Sequence, residues 1–330
     1  MTGAPLLDVT DLTVSLPHPD GSRLFAVRDL NLRVGAGQIA GLAGESGSGK
    51  SITSLALMGL LPDGAKVSGS AMFEGRDLLS MSARDRAALR GRQMAMIFQD
   101  PMTALHPMLS IGRQMTEHYR HHFATTQAKA MRRAEEMLDL VRIPDPRGAL
   151  KRSPHQFSGG MRQRIAIAMA LCCEPTLIIA DEPTTALDVT VQAGILRLFE
   201  RLRGELDLSV LLITHDLGVM SAVADRVSVM YAGRLVEGGA RADVLTRPRH
   251  PYTHGLLNAL PGAGGSGGMQ TIPGLPPSIA THPPGCAFHP RCPFCAPSCK
   301  VDTPPLVAIS DDRRIACPID PLAPKKVTAS

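Results

Sequence analysis

The stretch Gly44-Glu45-Ser46-Gly47-Ser48-Gly49-Lys50-Ser51 fits the pattern G-x-x-x-x-G-K-[ST] without a mismatch. Its residue types each have a use on a polyphosphate. Glycines let successive backbone N–H groups turn inward onto an anion, and the N-terminus of a following helix adds positive potential. Lys50 can reach β- and γ-phosphates, and the Ser51 hydroxyl is placed to hold Mg²⁺. A Gly/Ser-rich turn that binds nothing is the alternative, but it does not account for the flanks. Ile39-Ala40-Gly41-Leu42-Ala43 reads as a buried strand, and Ile52 to Leu60 as a helix closed by Pro62. Strand, loop and helix in that order are the setting a phosphate-binding loop requires, so a nucleoside triphosphate is expected here.

Acids and a histidine recur at the ends of other apolar runs. Leu177-Ile178-Ile179-Ala180 has the unbroken hydrophobicity of a strand buried on both faces, and it delivers Asp181 and Glu182 at its carboxyl end. Asp181 fits an acid that holds Mg²⁺ through water, and Glu182 can take a proton from a water attacking the γ-phosphate. Paired acids are often only a solvated face; the apolar strand before them and the phosphate loop favour the functional reading. His215 follows a second such run, Val210-Leu211-Leu212-Ile213-Thr214. A lone His is commonly structural, but at the tip of a strand parallel to the one carrying Glu182 it could contact the γ-phosphate. Ser158-Gly159-Gly160 opens a helix over Met161 to Cys173, and is a further anion-binding helix start.

These side chains must be carried by an α/β scaffold. Leu7, Val9, Leu12, Val14 and Leu16 alternate as a strand, Pro17-His18-Pro19-Asp20-Gly21 turns, and Phe25 to Val34 returns. Phe25 is a candidate for stacking on a nucleotide base; packing into the core is an equal alternative. Met94-Ala95-Met96-Ile97-Phe98 is a short strand ending at Gln99. Gln127 to Ile143 carries a helical stripe of Ala130, Ala134, Met137, Leu138 and Val141, ended by Pro144-Asp145-Pro146, so residues 99–157 read as a helical insert. Val227 to Tyr231 and Arg234 to Glu237 form a hairpin through Ala232-Gly233. Residues 261–268 are a Gly-rich linker, and prolines dominate the chain beyond it. Cys172 and Cys173 read as small core residues, since no metal-ligand spacing surrounds them.

Bulk properties narrow the class. The 330 residues can hold one large domain with an appendage, and 44% hydrophobic content is a globular share. A net charge of +5 without a Lys/Arg block gives no case for nucleic acid. No apolar run is long enough to span a bilayer, and no basic-then-apolar leader is visible, so a cytosolic protein that can dock on a membrane protein is expected. Five of the seven cysteines fall between Cys286 and Cys317, which in such a compartment points to metal before disulfides.

Together these pieces resemble the ATP-binding subunits of ABC transporters, from the N-terminus to about residue 260. Gln99 is similar to the Q-loop glutamine and Phe157-Ser158-Gly159-Gly160-Met161-Arg162-Gln163-Arg164 to the family signature. Ala186-Leu187-Asp188 resembles the D-loop, and His215 the switch histidine. Met161 stands where the general signature has glutamine, a departure shared by the peptide-importer branch. Ile97-Phe98-Gln99-Asp100-Pro101-Met102-Thr103 is similar to that branch's Q-loop segment, although Ala104 and His106 depart from its usual serine and asparagine. His250-Pro251-Tyr252-Thr253, Leu256-Leu257 and Ile272-Pro273-Gly274-Leu275-Pro276-Pro277 resemble its C-terminal motifs. Cys286-x5-Cys292-x6-Cys299 followed by Cys317 resembles the four-cysteine extension of dipeptide and oligopeptide ATPases.

The resemblance implies a P-loop core with a RecA-like sheet and N-terminal antiparallel strands over residues 1–260, a helical subdomain over about 99–160, and a cysteine-rich extension over 261–330. It implies ATP held by Gly44 to Ser51 with Phe25, Asp181, Asp188 and the facing subunit's signature. Mg²⁺ falls to Ser51, Gln99 and Asp181, and catalysis to Glu182, His215 and Gln99. It also implies a [4Fe–4S] cluster on Cys286, Cys292, Cys299 and Cys317, with zinc as the alternative occupant; Cys295 is a fifth cysteine that leaves the ligand set ambiguous. Implied partners are two transmembrane permease subunits, a second related ATPase (or a second copy), and an extracytoplasmic solute-binding protein, at the cytoplasmic face of the inner membrane. Import of nickel or another small solute, a DNA-repair ATPase and a redox sensor are the rival readings. The short insert between Gln99 and Ser158 speaks against DNA repair, which needs a long coiled coil there.

Overall fold

A computed structural model of the chain describes residues 4–100, 104–185, 187–260 and 271–323. Pro101-Met102-Thr103 of the Q-loop segment, Ala186 of the D-loop and the linker at 261–268 lie outside the described residues.

The N-terminal alternation builds β1 (Leu7–Pro17) and β2 (Arg23–Val34), paired antiparallel from Leu7↔Val34 to Pro17↔Arg23. With β4 (Lys66–Phe73) and β5 (Arg76–Asp77) they form a four-stranded sheet of order β2-β1-β4-β5. The main sheet has eight strands in the order β11-β12-β10-β9-β3-β8-β7-β6. Its parallel part comprises β3 (Ile39–Ala43), β6 (Met94–Ile97), β7 (Leu177–Asp181), β8 (Ser209–Thr214) and β9 (Arg226–Tyr231). These strands are apolar without a break because both faces are covered. Alternate residues feed two cores. Ala40, Leu42, Leu177, Ile179, Leu211 and Ile213 pack towards the antiparallel sheet and α1 (Lys50–Met58). Ile39, Ala43, Ile178, Ala180, Val210 and Leu212 pack towards α6 (Gly159–Leu171), α7 (Val189–Leu206) and α8 (Leu217–Val223).

The first helix begins and ends two residues earlier than the sequence suggests. Gly59 takes a left-handed conformation (φ 64°) after Met58, and its N–H and that of Leu60 close back on Ala56 and Leu55. The stop is therefore a glycine cap and not Pro62. In the insert, α4 (Gln127–Leu140) ends before the expected Ile143 because Val141 leaves helical geometry. Two further helices, α3 (Ile111–His122) and α5 (Pro146–Lys151), complete it, started by side-chain oxygens of Ser110 and Asp145. Ile111, Met115, Ala134, Met137, Leu138, Ala149 and Leu150 bury the facing surfaces. Between β4 and β6, α2 (Ala83–Leu89) is capped by Ser82. Among the described residues no helix is long and apolar enough to cross a membrane.

Beyond the linker the chain returns to the main sheet. The hairpin of β9 with β10 (Arg234–Ala240) is extended by β12 (Arg313–Ile315), which pairs Glu237↔Ile315, and by β11 (Val307–Ser310). A buried charge pins this junction. Glu237 is fully buried, takes a 2.7 Å hydrogen bond from Arg313 Nη2, and accepts the N–H groups of Arg249 (2.9 Å) and His250 (3.0 Å). These two amides begin the turn that leads from α9 (Arg241–Thr246) into α10 (Pro251–Asn258). Removing one partner of a buried pair strands the other in a low-dielectric site. Arg313→Met is therefore expected to lower unfolding stability by ~3–5 kcal/mol, with Glu237→Gln added on top recovering most of it. Denaturant titration checks this, and a single-variant loss below about 0.5 kcal/mol would contradict it.

Candidate nucleotide site

The parallel register sets the site. Ala43 pairs with Thr214, Ile213 with Asp181, and Ala180 with Ile97. Adjacent strands thus end level, and the next residues along each chain emerge at one edge: Gly44, His215, Glu182 and, two past Ile97, Gln99. Open parallel sheets bind ligands at this carboxyl edge.

In the loop, Gly47 (φ 80°) and Gly49 (φ 103°) hold left-handed conformations, and a Cβ on Gly49 would lie 2.7 Å from the Ala26 carbonyl oxygen. Lys50 begins α1 with its ammonium turned back across the loop, donating to the carbonyls of Gly44 (2.7 Å) and Glu45 (3.0 Å). Burial lowers its pKa, opposed by Glu182, Asp181 and Glu45. Asp181 is buried and its pKa is raised by that burial, against hydrogen bonding from Ser51 and the charge of Lys50. Its Oδ1 and the Ser48 hydroxyl are buried without a hydrogen-bond partner among the described residues. A desolvated carboxylate oxygen with no donor, beside the Ser51 hydroxyl, fits a hard cation such as Mg²⁺.

Glu182 takes a left-handed backbone (φ 48°), costly for a residue with a Cβ and typical of functional sites. That geometry brings three side chains to its carboxylate. Gln99 Nε2 donates at 3.2 Å, the Thr185 hydroxyl donates at 2.8 Å, and His215 Nδ1 lies 3.3 Å from Oε1. Gln99, Glu182 and His215, expected from three separate stretches, are thereby gathered into one cluster. Thr185 was not among the expected residues; its only sequence signal is its place three residues after Glu182.

Phe25 does not pack into the core. It is 42% exposed with the Arg28 guanidinium 5.1 Å from its ring, on the strand whose Ala26 carbonyl borders Gly49. Ser158 and Gly159 are exposed, and the Ser158 side chain accepts the Met161 N–H at 3.4 Å to start α6. Gly160 lies close enough to Val191 that a Cβ would meet its Cγ1 at 2.5 Å. Asp188 caps α7 through the Val191 N–H (2.9 Å). The Ser158 and Asp188 side chains are thus used as local helix caps within their own chain.

A family model described as ABC transporter matches residues 27–185, and one described as oligopeptide/dipeptide transporter, C-terminal region, matches residues 236–299. The oligopeptide transport ATP-binding protein OppD of Salmonella typhimurium is 50% identical over 313 residues, covering 94% of this chain and 93% of that protein. The chain belongs to the ABC transporter ATP-binding proteins. The dipeptide transport ATP-binding protein DppD of Bacillus subtilis is 48% identical over 315 residues, 94% of each. The dimeric bacterial ABC transporter cassette MJ0796 has the same fold, with a TM-score of 0.64 at 24% identity over 71% of this chain and 98% of that one.

In this ABC ATPase the C-terminal segment reaches the phosphate loop. Arg291, 7% exposed, donates to both oxygens of the Glu45 carboxylate at 2.7 and 3.0 Å and to Tyr231 at 3.3 Å. Its pKa is raised, first by the Glu45 hydrogen bonds. The Glu45 N–H donates to the Tyr252 hydroxyl at 2.9 Å, and Tyr252 is set by its own N–H donating to His250 Nδ1 at 3.1 Å. Burial pushes His250 down to about 3, so the ring is a neutral acceptor. The His250-Pro251-Tyr252 motif, read from sequence only as a resemblance, thus acts as a strut under the loop. Arg291 carried no separate sequence signal beyond standing before Cys292.

In the tail, the Cys286 N–H donates to the Cys299 carbonyl at 2.8 Å. Cys286, Cys292 and Cys317 have raised pKa values, first from burial and then from other thiols of the set Cys286, Cys292, Cys299 and Cys317; Cys292 is pushed to about 11. Cys295 is outside that set, its thiol facing the Ala296 carbonyl at 3.6 Å. Removing a bidentate partner frees the Glu45 loop, so Arg291→Met should raise the KM for ATP about tenfold, a 1.4 kcal/mol effect. Steady-state turnover with a parallel nucleotide-binding titration reads this; a KM within twofold of the parent would contradict it.

Proposed function

We propose that this chain is the ATP-hydrolysing subunit that powers import of dipeptides or oligopeptides through a membrane ABC transporter. The observation that carries the ATPase reading is the meeting of Gln99, Thr185 and His215 on the Glu182 carboxylate, at the strand edge that also presents the phosphate loop. The peptide assignment rests on the OppD and DppD relatives and on the matched C-terminal region.

ATP would lie with its phosphates on the 44–51 backbone amides, Lys50 shifting its donors from the Gly44 and Glu45 carbonyls to phosphate oxygens. Its base would stack on Phe25. Mg²⁺, held by Ser51, Asp181 and Gln99, would neutralise charge on the β- and γ-phosphates. Glu182 accepts the proton of the attacking water, while His215 and Thr185 fix the orientation of its carboxylate. One chain presents exposed Ser158 and Gly159, with half-buried Gly160 after them, on a face separate in sequence from its own phosphate loop. A facing ATPase, a related subunit or a second copy, would cover the γ-phosphate with that segment and take part through Asp188. Closure excludes water and supplies dipoles where charge spreads.

The domain reading is a nucleotide-binding domain over 1–260 with a helical subdomain over about 99–160, and an extension over 261–330. The subdomain would carry the motion at Gln99 to two permease subunits at the cytoplasmic face of the inner membrane, fed by an extracytoplasmic solute-binding protein. The four tail thiols offer an all-sulfur donor set of the kind a [4Fe–4S] cluster takes, and such a cluster would staple the tail whose Arg291 holds Glu45. Cys286, Cys292, Cys299 and Cys317 would be its ligands. Visible absorption and iron in anaerobically purified protein support the cluster; zinc in its place overturns it.

Replacing the proton acceptor leaves the phosphate loop intact. Glu182→Gln should cut ATP turnover about 10²-fold or more while ATP binding persists. Turnover within a few-fold of the parent would remove Glu182 from the role of base. In proteoliposomes with the permeases and binding protein, ATP-dependent uptake of labelled peptide but not of nickel is the expected outcome.

A further inference from the structure

Away from the nucleotide, the end of α3 meets the residues just past α6. His118 and His122 are one helical turn apart and share a face of α3. Cys173, buried, comes from the segment after α6. His118 Nε2 and Cys173 Sγ are 3.6 Å apart, and the two imidazoles meet edge-on with centroids 5.3 Å apart. One donor atom from each of the three residues lies within 4.8 Å of the other two. Gly91, at φ 80°, faces them. A Cβ there would come within 2.8 Å of His122 Nε2 and 3.3 Å of His118 Nε2, so both nitrogens border the space that a side chain would fill. By sequence Cys173 is a small core residue without ligands nearby; folding brings His118 to it from 55 residues upstream, with His122 on the same helix.

We propose that His118, His122 and Cys173 form a zinc site that ties the helical insert to the end of the signature helix. Two imidazoles and a thiolate suit Zn²⁺, and a histidine pair spaced i, i+4 on a helix offers two ligands from one face. Tetrahedral Zn²⁺, with nitrogen at about 2.0–2.1 Å and sulfur at about 2.3 Å, places ligand atoms about 3.3–3.6 Å apart. His118 and Cys173 already have that spacing, and His122 closes the remainder by turning its half-buried side chain. Burial, with His122 and His121 adding like charge, holds His118 down at about 4, and burial lowers His122 as well, so both rings offer lone pairs near neutrality. Burial raises Cys173 to about 11, with Arg133 and Arg92 pulling the other way and Glu174 adding to it. On binding, the Zn–S bond forms as the S–H bond breaks, and the proton leaves to solvent. Water takes the fourth position.

The site is separable from the tail thiols by substitution. Full-length protein equilibrated with micromolar Zn²⁺ and freed of excess should hold one zinc per chain more than Cys173→Ser or His122→Ala, at equal iron content. Co²⁺ in its place should give a near-ultraviolet thiolate band that persists when Cys286, Cys292, Cys299 and Cys317 are all serine and disappears in Cys173→Ser. His122 is half-buried, so its alanine variant keeps the test valid should Cys173→Ser fold poorly. Equal zinc in the parent and His122→Ala, or a cobalt band lost with the tail cysteines and unmoved by Cys173→Ser, would overturn the proposal.

Discussion

Level strand ends are the constraint on which the site depends. A carboxylate, a histidine, a glutamine and a phosphate loop come from segments scattered along the chain, yet parallel pairing at Ala43↔Thr214, Asp181↔Ile213 and Ile97↔Ala180 places their neighbours in one row. A slip of one residue in any strand would move its loop along the edge and exchange its two buried faces. Both faces are apolar, so the hydrophobic pattern alone tolerates such a slip poorly but does not forbid it. The backbone bonds from Glu182 N–H to the Ile213 carbonyl (2.8 Å) and from Val210 N–H to the Gln38 carbonyl (2.8 Å) fix the register at the two ends.

The tail adds a second constraint on the same loop. Glu237 with Arg313 joins β12 to the sheet, and Arg291 with Glu45 then joins the cysteine segment to the phosphate loop. Both ion pairs are largely desolvated and hydrogen-bonded on several sides, the situation in which a charged pair holds geometry and loss of one member is costly. A group bound by the tail thiols would thereby bear mechanically on the position of Glu45. The C-terminal segment is part of the nucleotide site's support and not an appendage beside it.

What could be read from the sequence divides by range. Local pattern located β1, β2, β3, β7, β8, the phosphate loop and the acids after β7, because each is a continuous run whose chemistry is written in adjacent residues. Boundaries moved where a backbone choice decided them, as at Gly59, whose left-handed cap ends α1 before Pro62. The helix α3 is not evident locally because its apolar face is narrow and broken by charges, whereas α7, capped by Asp188, carries a legible stripe of Ile195, Leu198, Phe199 and Leu202. Long-range partners left no local trace. Arg291 on Glu45 and His118 beside Cys173 became neighbours only through topology, and Thr185 reaches Glu182 only through the left-handed turn between them. Phe25 was ambiguous for a different reason: strand alternation does not say which face of an edge segment meets solvent.

The central claim is that each chain holds half of a hydrolytic centre and that Ser158 of a facing ATPase completes it. Turnover per chain, measured across a protein dilution series with sedimentation on the same samples, tests it most directly, with the chain alone and with its companion ATPase. Turnover should track the paired fraction and be lost on Ser158→Arg although ATP still binds. A monomer that hydrolyses ATP at the full rate, indifferent to that substitution, would contradict it.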